Sequence, residues 1–478
     1  MGDHLSALDA TFLELEEHDE GALMNIGGVM VFDPLPDGQV PTLEELCSGS
    51  ASRLEQLPRY TQRLSSPRTG GLAWPRWVPD GHFDIRNHVG RAALPAPGGP
   101  SELCDWTADF YSHRLDRTRP LWQLVLLEGL DFGRWALALK THHCLVDGVG
   151  AVDVVRLLLD SEATPAGDPF ESPAALYPGD FLREAAPTPH AVVQATRAGV
   201  RSARAGAHAV RHPREALERS LSMAELFVRD ELIAAPETSL NVPIGSTRRY
   251  AVVHVPLGQL KSIRAVLGGS VNDVALAACA AGLRKLLLER GETPPHQGLR
   301  AMVPTNLRDR TERLGLGNRV SSLFVDLPVA EPSAEVRYRK ISTSTARLKR
   351  SGAAAAASGL IELAALAPPL LRAELGRSLY AKRLFNVTLT NVPGPRDPLY
   401  ALGAQLREIH PVVPLAAEHT VGVAIFSYHG LVTFGVIADA DTTPDIGVLA
   451  AGIEEGIEEL SRHVPASQGA KRLEPTRS

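Results

Sequence analysis

The segment from Lys140 to Gly150 contains two adjacent histidines, followed after three residues by Asp147-Gly148. An apolar run at 135–139 precedes this motif and predicts a buried strand. An amphipathic run at 149–159 follows it and predicts a helix, so the motif is expected on a turn between the two. A histidine, whose ordinary pKa is about 6.5, can accept a proton at neutral pH and later return it. The arrangement predicts acyl transfer by general-base catalysis, without a protein nucleophile.

The residues of the motif suggest distinct roles. Successive side chains of a strand point to opposite faces, so His142 and His143 cannot both face one cavity if they continue the strand. One is expected to be the base and the other to be structural. Gly148 lets the backbone enter the helix tightly, and the helix N-terminus offers N–H donors to a developing oxyanion. Asp147 is expected to hold the turn by pairing with a cation or with backbone N–H groups.

Structural explanations compete with these roles. A lone histidine at a strand end is more often a capping or core residue, but two histidines with Asp-Gly at fixed spacing favour catalysis. Cys144, beside His143, could suggest a thiol nucleophile. Neighbours on an extended segment point apart, however, and a small buried side chain is the favoured interpretation. The sequence has no Gly-x-Ser-x-Gly elbow, which weakens a serine-hydrolase hypothesis.

Length and composition limit the classes of protein that this chain can belong to. Its 478 residues are too many for one core and predict two domains of roughly 200 residues each. A net charge of −6 gives no electrostatic support to a nucleic-acid partner. The four cysteines are far apart and fit a reducing cytoplasm better than a disulfide framework. We expect no metal site.

The sequence predicts a cytoplasmic protein that is at most peripheral to a membrane. Acidic residues crowd the N-terminal region from Glu14 to Glu20, which argues against a secretory signal. No apolar run reaches the roughly 18 residues needed to span a bilayer.

Periodicity predicts further elements. We expect strands at 24–32, 122–127, 135–141, 250–255, 384–390, 421–428 and 431–438, the last two joined by a hairpin at His429-Gly430. Helices are expected at 101–115, 149–159, 257–267 and 272–290, the last capped by Ser270 or Asn272. The segment Pro75 to His82, rich in Pro, Trp and Gly, is expected to be a loop.

Several motifs lie along the chain in a fixed order around the histidine pair. They are Leu5–Leu13, Pro120–Trp122, Ser270–Asp273, Pro304–Arg308, Leu316–Asn318 and Asn391–Pro395. With the histidine motif, they resemble the bacterial wax ester synthase/diacylglycerol acyltransferase family along most of the chain. That family belongs to the CoA-dependent acyltransferase superfamily and is similar in fold to chloramphenicol acetyltransferase and to peptide-synthetase condensation domains.

The resemblance implies a fold and site roles. The fold would be of the α/β class, with the helices and sheets in α+β layers. It would consist of two chloramphenicol-acetyltransferase-like domains with the active-site channel at their interface. His143, the second histidine of the pair, would be the base. Capping explains Asn272 on spacing alone, but the resemblance associates its Asn-Asp motif with the active site. Arg86 and Arg308 are candidate partners for Asp147 or for CoA phosphates, or ordinary surface arginines.

Other conspicuous residues suggest structural roles. Trp122 is expected to pack a strand beneath the histidine motif and to act through positioning. The segment from Asn391 to Pro395 is expected to be a rigid turn in which Gly394 is free to adopt positive φ.

We expect four segments along the chain. Residues 1–164 would form an N-terminal acyltransferase domain, and 165–247 a Pro-rich linker with a basic helical connection. Residues 248–464 would form a C-terminal acyltransferase-like domain, and 465–478 a disordered tail. The helix predicted at 192–210 carries a basic face and a weak apolar stripe. It could lie on an anionic lipid surface, but packing against its own protein is favoured.

The resemblance implies a long-chain acyl-CoA as donor, consumed as a substrate with no separate cofactor. The acceptor would be diacylglycerol, a long-chain alcohol, or both. Two alternatives remain: a condensation-type transfer from a carrier-protein thioester, and a non-catalytic protein that binds lipid surfaces. The intact His142, His143, Asp147 and Gly148 argue against the second.

Overall fold

A computed structural model describes residues 3–54, 57–65, 75–146, 148–163, 234–306, 320–351 and 384–465. Several sequence-based predictions lie outside these ranges: the basic helix, most of the linker, the tail beyond residue 465, Asp147, Arg308 and the motif at 316–318.

The described residues form both strands and helices. The strands are β1 (Asp3–His4), β2 (Asn25–Phe32), β3 (Gln62–Leu64), β4 (Arg76–Pro79), β5 (Val89–Ala93), β6 (Trp122–Glu128), β7 (Trp135–His142), β8 (Arg248–Pro256), β9 (Leu299–Asn306), β10 (Val320–Leu327), β11 (Val387–Pro393), β12 (Tyr400–Ala401), β13 (Ala404–Val412), β14 (Val421–Tyr428) and β15 (Leu431–Asp439). The helices are α1 (Ala7–His18), α2 (Leu43–Leu54), α3 (Pro100–Tyr111), α4 (Gly148–Leu158), α5 (Leu257–Leu267), α6 (Val271–Glu289), α7 (Ala334–Ser351) and α8 (Ile446–Ser461).

The first large sheet has the strand order β12-β13-β2-β7-β6-β5. Every residue of β7 is buried, as expected for a central strand covered on both faces. β7 runs antiparallel to both neighbours, and its last residue, His142, lies opposite Asn25 of β2. The strand that carries the histidine motif is therefore the most enclosed part of this sheet.

The second large sheet has the order β10-β9-β11-β14-β15-β8, and α6 and α8 share its apolar core. The two helices approach closely because small residues face each other. A Cβ added to Gly282 would lie 2.6 Å from the backbone oxygen of Leu449, and one added to Gly452 would lie 2.8 Å from the Gly282 Cα. Glycine is required at this crossing by the absence of a side chain.

Strand β13 joins the two halves of the molecule. It lies late in the chain, yet it pairs antiparallel with β2 of the first sheet. Its other contacts reach the second sheet: the Tyr250 hydroxyl donates a hydrogen bond of 2.9 Å to the Pro411 oxygen. The division of the chain at residues 164 and 248 stays a prediction. The two sheets do not follow it, because β13 comes from the predicted C-terminal segment and lies in the first sheet.

Most predicted elements are present, with end shifts of a few residues. The hairpin at His429-Gly430 is confirmed, since the two residues have φ of 41° and 86°, as the type I′ turn of a tight hairpin requires. The loop predicted at Pro75 to His82 is wrong. Its residues 76–79 form β4, which pairs with β1 and β3 and buries Trp77 completely, so the burial of one large aromatic side chain outweighs the local Pro and Gly content.

Within the described part of the chain, no single helix has the length and apolar character to span a membrane. Helices α5 and α6 meet those criteria only as a pair, and the chain bends by 100° between them.

Candidate active site

The two histidines lie where β7 leaves the first sheet. The backbone N–H of His142 donates to the Leu121 oxygen at 3.0 Å, and that of His143 donates to the Met24 oxygen at 2.8 Å. The Leu145 N–H then closes a turn onto the His142 oxygen at 2.9 Å. Both imidazoles are thus carried by backbone that is anchored to neighbouring strands.

The imidazole of His142 is enclosed, with 1% of the residue exposed. Its Nδ1 accepts a hydrogen bond of 3.1 Å from the Cys144 N–H, so Nδ1 carries no proton. Its Nε2 lies 3.4 Å from a carboxylate oxygen of Glu16. These contacts fix the orientation of the ring.

Glu16 is a buried carboxylate that lies between His142 and Arg117. Burial alone would raise its pKa, but interactions with His142 and Arg117 lower it to about 2. Arg117 donates to the same carboxylate oxygen at 2.7 Å. The negative charge is therefore held beneath the turn at neutral pH.

His143 lies in a different environment. It is half-buried, and its ring stacks on Phe12 of α1, with ring centroids 4.2 Å apart and planes inclined by 26°. A stacked ring is restricted in its χ angles without losing its nitrogen lone pair. Of the two imidazoles, His143 is the one whose surroundings leave it partly accessible.

The end of the motif enters a helix. Asp147 lies outside the described residues, and Gly148 is the first residue of α4. The first backbone N–H groups of a helix have no partner within the helix. A helix N-terminus, the kind of position that favours anions, therefore follows the histidines directly.

Capping, the role predicted for Asn272 from spacing, is wrong. Ser270 is the N-cap of α6: its hydroxyl accepts from the Asp273 N–H at 3.2 Å, and its own N–H donates to the Asp273 carboxylate at 2.8 Å. Asn272 sits one residue inside the helix, and its side-chain oxygen accepts a hydrogen bond of 2.8 Å from the Asn391 amide. Two motifs that are distant in sequence therefore meet.

The structure also corrects the interpretation of Gly394. Residues 391–393 belong to β11 rather than to a turn, and Gly394 is not among the positive-φ glycines. A Cβ at this position would lie 2.4 Å from both a ring carbon of Phe426 and the Ser427 oxygen. Glycine is required here because two strands approach closely.

One apolar cluster brings the two halves together at this level. It contains Leu145 and Val146 from the histidine turn, and Val392 and Phe426 from the second sheet. The histidine turn and the end of β11 thus border the same interface between sheets. The resemblance predicted a channel there, and that channel stays a prediction.

Two family models match most of this chain. The model of the wax ester synthase/diacylglycerol acyltransferase catalytic domain matches residues 5–275, and that of the WS/DGAT C-terminal domain matches residues 316–461. The chain belongs to the wax ester synthase/diacylglycerol acyltransferase family.

Named relatives agree with this membership. The probable diacylglycerol O-acyltransferase tgs1 of Mycobacterium tuberculosis is 34% identical over 486 residues, covering 98% of this chain and 99% of that protein. The probable diacylglycerol O-acyltransferase tgs2 of the same species is 31% identical, covering 95% and 97%. The chain is an O-acyltransferase of the diacylglycerol acyltransferase/wax ester synthase class.

Solved structures confirm the fold. The wax ester synthase/diacylglycerol acyltransferase from Marinobacter aquaeolei VT8 is 27% identical, with a TM-score of 0.67 and coverage of 96% of this chain and 99% of that one. A starter condensation domain of rhizomide synthetase is similar in fold alone, at 15% identity and a TM-score of 0.56, covering 97% of this chain and 95% of that one. The predicted two-domain α/β architecture is confirmed.

The remaining predictions for this family member have mixed outcomes. Trp122 lies opposite Thr141 of β7, donates its indole N–H to the Tyr60 oxygen at 2.7 Å and stacks on His88, as its predicted packing role requires. Cys144 is buried, and burial raises the pKa of its thiol, which argues against a nucleophile. Arg86 is exposed and pairs with Asp84 at 2.7 Å.

Sequence reasoning missed the residues that support the histidines. Phe12 lies within the opening family motif, and Glu16 follows it on the same helix. Their spacing of four places them on one face of α1, toward the histidine turn. That spacing was the available signal, but nothing in it identifies the partner strand.

Proposed function

We propose that this enzyme transfers a long-chain acyl group from acyl-CoA to the free hydroxyl of diacylglycerol, forming triacylglycerol. A long-chain alcohol is the second acceptor, and it gives a wax ester. The names of the mycobacterial relatives and of the Marinobacter enzyme support both acceptors. Acyl-CoA is consumed as a substrate, and we propose no separate cofactor.

The observation that carries the mechanism is the difference between the two imidazoles. His142 is enclosed and oriented by Glu16 and the Cys144 N–H. His143 is half-buried and held against Phe12. A general base needs a fixed position together with access to the proton it removes. We therefore assign the base to His143 and the structural role to His142.

The reaction proceeds by direct attack. The His143 imidazole takes the hydroxyl proton as the acceptor oxygen bonds to the thioester carbonyl carbon, giving a tetrahedral oxyanion. The oxyanion collapses, the carbon–sulfur bond breaks, and the CoA thiolate leaves. The imidazolium returns its proton to that sulfur, which restores the base and leaves the ester. No acyl-enzyme is formed.

Donors to the oxyanion are available on two elements. One is the N-terminus of α4, which begins at Gly148, because the first N–H groups of a helix have no partner within the helix itself. The other is Asn272. Its amide oxygen accepts from Asn391, which leaves its NH₂ group to donate to the substrate. Asp147 is assigned to holding the turn.

We also propose that the enzyme works in the cytoplasm, peripherally at the inner membrane or at lipid droplets, because its acceptors are insoluble in water. Flotation with diacylglycerol-containing vesicles tests this. Protein that stays at the bottom of the gradient, with or without acceptor, would contradict it.

The test of the reaction measures CoA release by purified protein from palmitoyl-CoA, with dipalmitoylglycerol or hexadecanol as acceptor. His143→Ala is compared with His296→Ala, an exposed histidine in the loop after α6. We expect acceptor-dependent release in the parent and in His296→Ala, and a loss of at least about 100-fold in His143→Ala. The better acceptor identifies the main product.

Two results would overturn the proposal. The first is near-parental turnover by folded His143→Ala, which would remove the base. The second is acyl transfer from a carrier-protein thioester with none from acyl-CoA, which would move the enzyme to condensation-type chemistry.

A further inference from the structure

Three side chains with metal-binding atoms meet between the two large sheets, on strands that the mechanism does not use. They are His254 on β8, and Glu408 and His410 on β13. The Nε2 of His254 lies 3.3 Å from one Glu408 carboxylate oxygen, and the Nε2 of His410 lies 3.4 Å from the other. One ligand atom from each residue can be chosen so that all three lie within 4.8 Å of one another.

The cluster follows from strand periodicity and one irregularity. Residues 250, 252 and 254 alternate onto one face of β8, and Tyr250 and Val252 share an apolar cluster with Val412 of β13. Register with β2 shifts between Leu406 and Glu408, which marks a β-bulge. Leu406 comes before the bulge and packs in a different apolar cluster from Val412, which comes after it. The bulge thus turns Glu408 onto the face of His410 and toward His254.

The nitrogens of the cluster are poorly satisfied by the described residues. His410 is 2% exposed, and neither of its ring nitrogens makes a hydrogen bond of acceptable geometry there, nor does the Nε2 of His254. Buried polar atoms are normally paired, and an exception calls for a bound ion or water, or for a functional reason. The orphaned nitrogens point to a ligand.

The distances fit a small tetrahedral ion. Zinc binds imidazole nitrogen at about 2.0–2.1 Å and carboxylate oxygen at about 2.0–2.2 Å, so the edges of its coordination tetrahedron are about 3.4 Å. The two separations from nitrogen to carboxylate, each to a different oxygen, are close to that length. Imidazole ligands favour zinc and its transition-metal neighbours over magnesium and calcium, which prefer oxygen.

The charge and access of the cluster also suit a cation. Glu408 supplies a carboxylate between the two imidazoles. The side chains of His254 and Glu408 are 30% and 20% exposed, which gives an ion a path from solvent. The positive charge of Arg134 also attracts the Glu408 carboxylate, but the Arg134 guanidinium is paired with Asp131.

We propose that His254, Glu408 and His410 form a binding site for a divalent transition-metal ion, zinc in preference to magnesium, with water completing the tetrahedron. The site joins β8 of the second sheet to β13 of the first. The bound ion fastens the two sheets to each other, apart from the histidine motif. This role is structural and does not depend on which acceptor the enzyme uses.

The test uses the full-length protein after EDTA treatment and removal of the chelator. Zinc is added in slight excess, unbound ion is removed by gel filtration, and bound zinc is measured by elemental mass spectrometry. We expect one more zinc ion per chain in the parent than in His254→Gln or Glu408→Gln. His296→Gln, the same change at an exposed histidine, should retain the parental value. Zinc, but not magnesium, should raise the Tm of the parent and of His296→Gln alone.

Cobalt(II) provides a readout that does not need the variants to fold. In the parent, a tetrahedral site gives intense visible absorption that zinc displaces. Equal zinc content in parent and His254→Gln, with no zinc-dependent change in Tm, would overturn the proposal. So would cobalt absorption that matches the octahedral aquo ion. Those results would leave the cluster as a His–Glu–His contact between sheets.

Discussion

The side-chain amide of Asn391 donates a hydrogen bond of 2.8 Å to the side-chain oxygen of Asn272. The contact joins the end of β11 to the first turn of α6, and it directs the Asn272 NH₂ group away from β11. Both side chains are half-buried. Because an amide can donate only from its nitrogen, Asn391 determines which end of Asn272 is offered to a substrate.

Replacing Asn391 by Ala should therefore act through Asn272. We expect a fall in kcat of about 10-fold and a loss of about 1 kcal/mol in the free energy of unfolding, the net value of a neutral hydrogen bond. A double-mutant cycle with Asn272→Ala checks the connection, since the two losses should not add. Strictly additive effects on both quantities would show that the two residues act independently.

Phe12 should influence turnover through the ring of His143. In Phe12→Leu the apolar volume is largely kept and the stacking is lost. An aromatic pair contributes about 0.5–1.5 kcal/mol, so we expect kcat to fall by up to about 10-fold while the fold is retained. Phe132→Leu, at a phenylalanine that is 84% exposed, is the matched control. Equal kcat in the two variants would remove Phe12 from the positioning of the base.

Glu16 should make stability depend on pH on the acid side. Its pKa is lowered from 4.5 to about 2 in the folded state, so its contribution is present above about pH 4.5 and is lost as pH falls toward 2. The shift corresponds to a contribution on the order of 3 kcal/mol. Its carboxylate side chain is only 2% exposed, so solvent screening is small.

Glu16→Gln should consequently be less stable than the parent at pH 7, and the difference should shrink toward pH 2. Urea unfolding at several pH values measures it, with Glu454→Gln at an exposed helix position as control. A destabilisation that stays constant across this range would mean that packing, and not the charge of Glu16, is responsible.

Gly394→Ala should destabilise the enzyme by about 1–3 kcal/mol, because the added methyl group overlaps the Phe426 ring and the Ser427 backbone. Gly447→Ala, in the first turn of α8, meets no atom within 4 Å and should be neutral or stabilising by up to about 1 kcal/mol. Thermal unfolding compares the two. Equal Tm values would show that the strands can separate at Gly394 without cost.

Local patterns were sufficient for the elements that carry the histidine motif. β7 is an apolar run bounded by turn residues and α4 is an amphipathic run, so each could be recognised from its own residues. The prediction that His142 and His143 occupy different surroundings follows from the alternation of strand side chains and agrees with the geometry. The assignment of His143 as base comes from the family resemblance and stays a prediction.

Long-range partners could not be predicted in this way. Nothing local to Asn272 indicates Asn391, and nothing local to His142 indicates Glu16, because each contact depends on how distant elements pack. The same limit applies to β4, where burial of Trp77 overrides the Pro and Gly content, and to Gly394, where close approach replaces the expected positive φ. The bulge before Glu408 changes which face the following residues occupy, and single-sequence periodicity does not reveal such a shift.

The position of β13 has a consequence for biosynthesis. During translation β2 and β7 emerge early, but the neighbour that completes β2 on its other edge begins only at Ala404. Until that segment leaves the ribosome, the backbone groups of Asn25–Phe32 on that edge are available to other chains. Closing such a sequence-distant pair also slows folding. A truncated product ending after the histidine motif would therefore be prone to aggregation, and rapid expression should favour inclusion bodies over active enzyme.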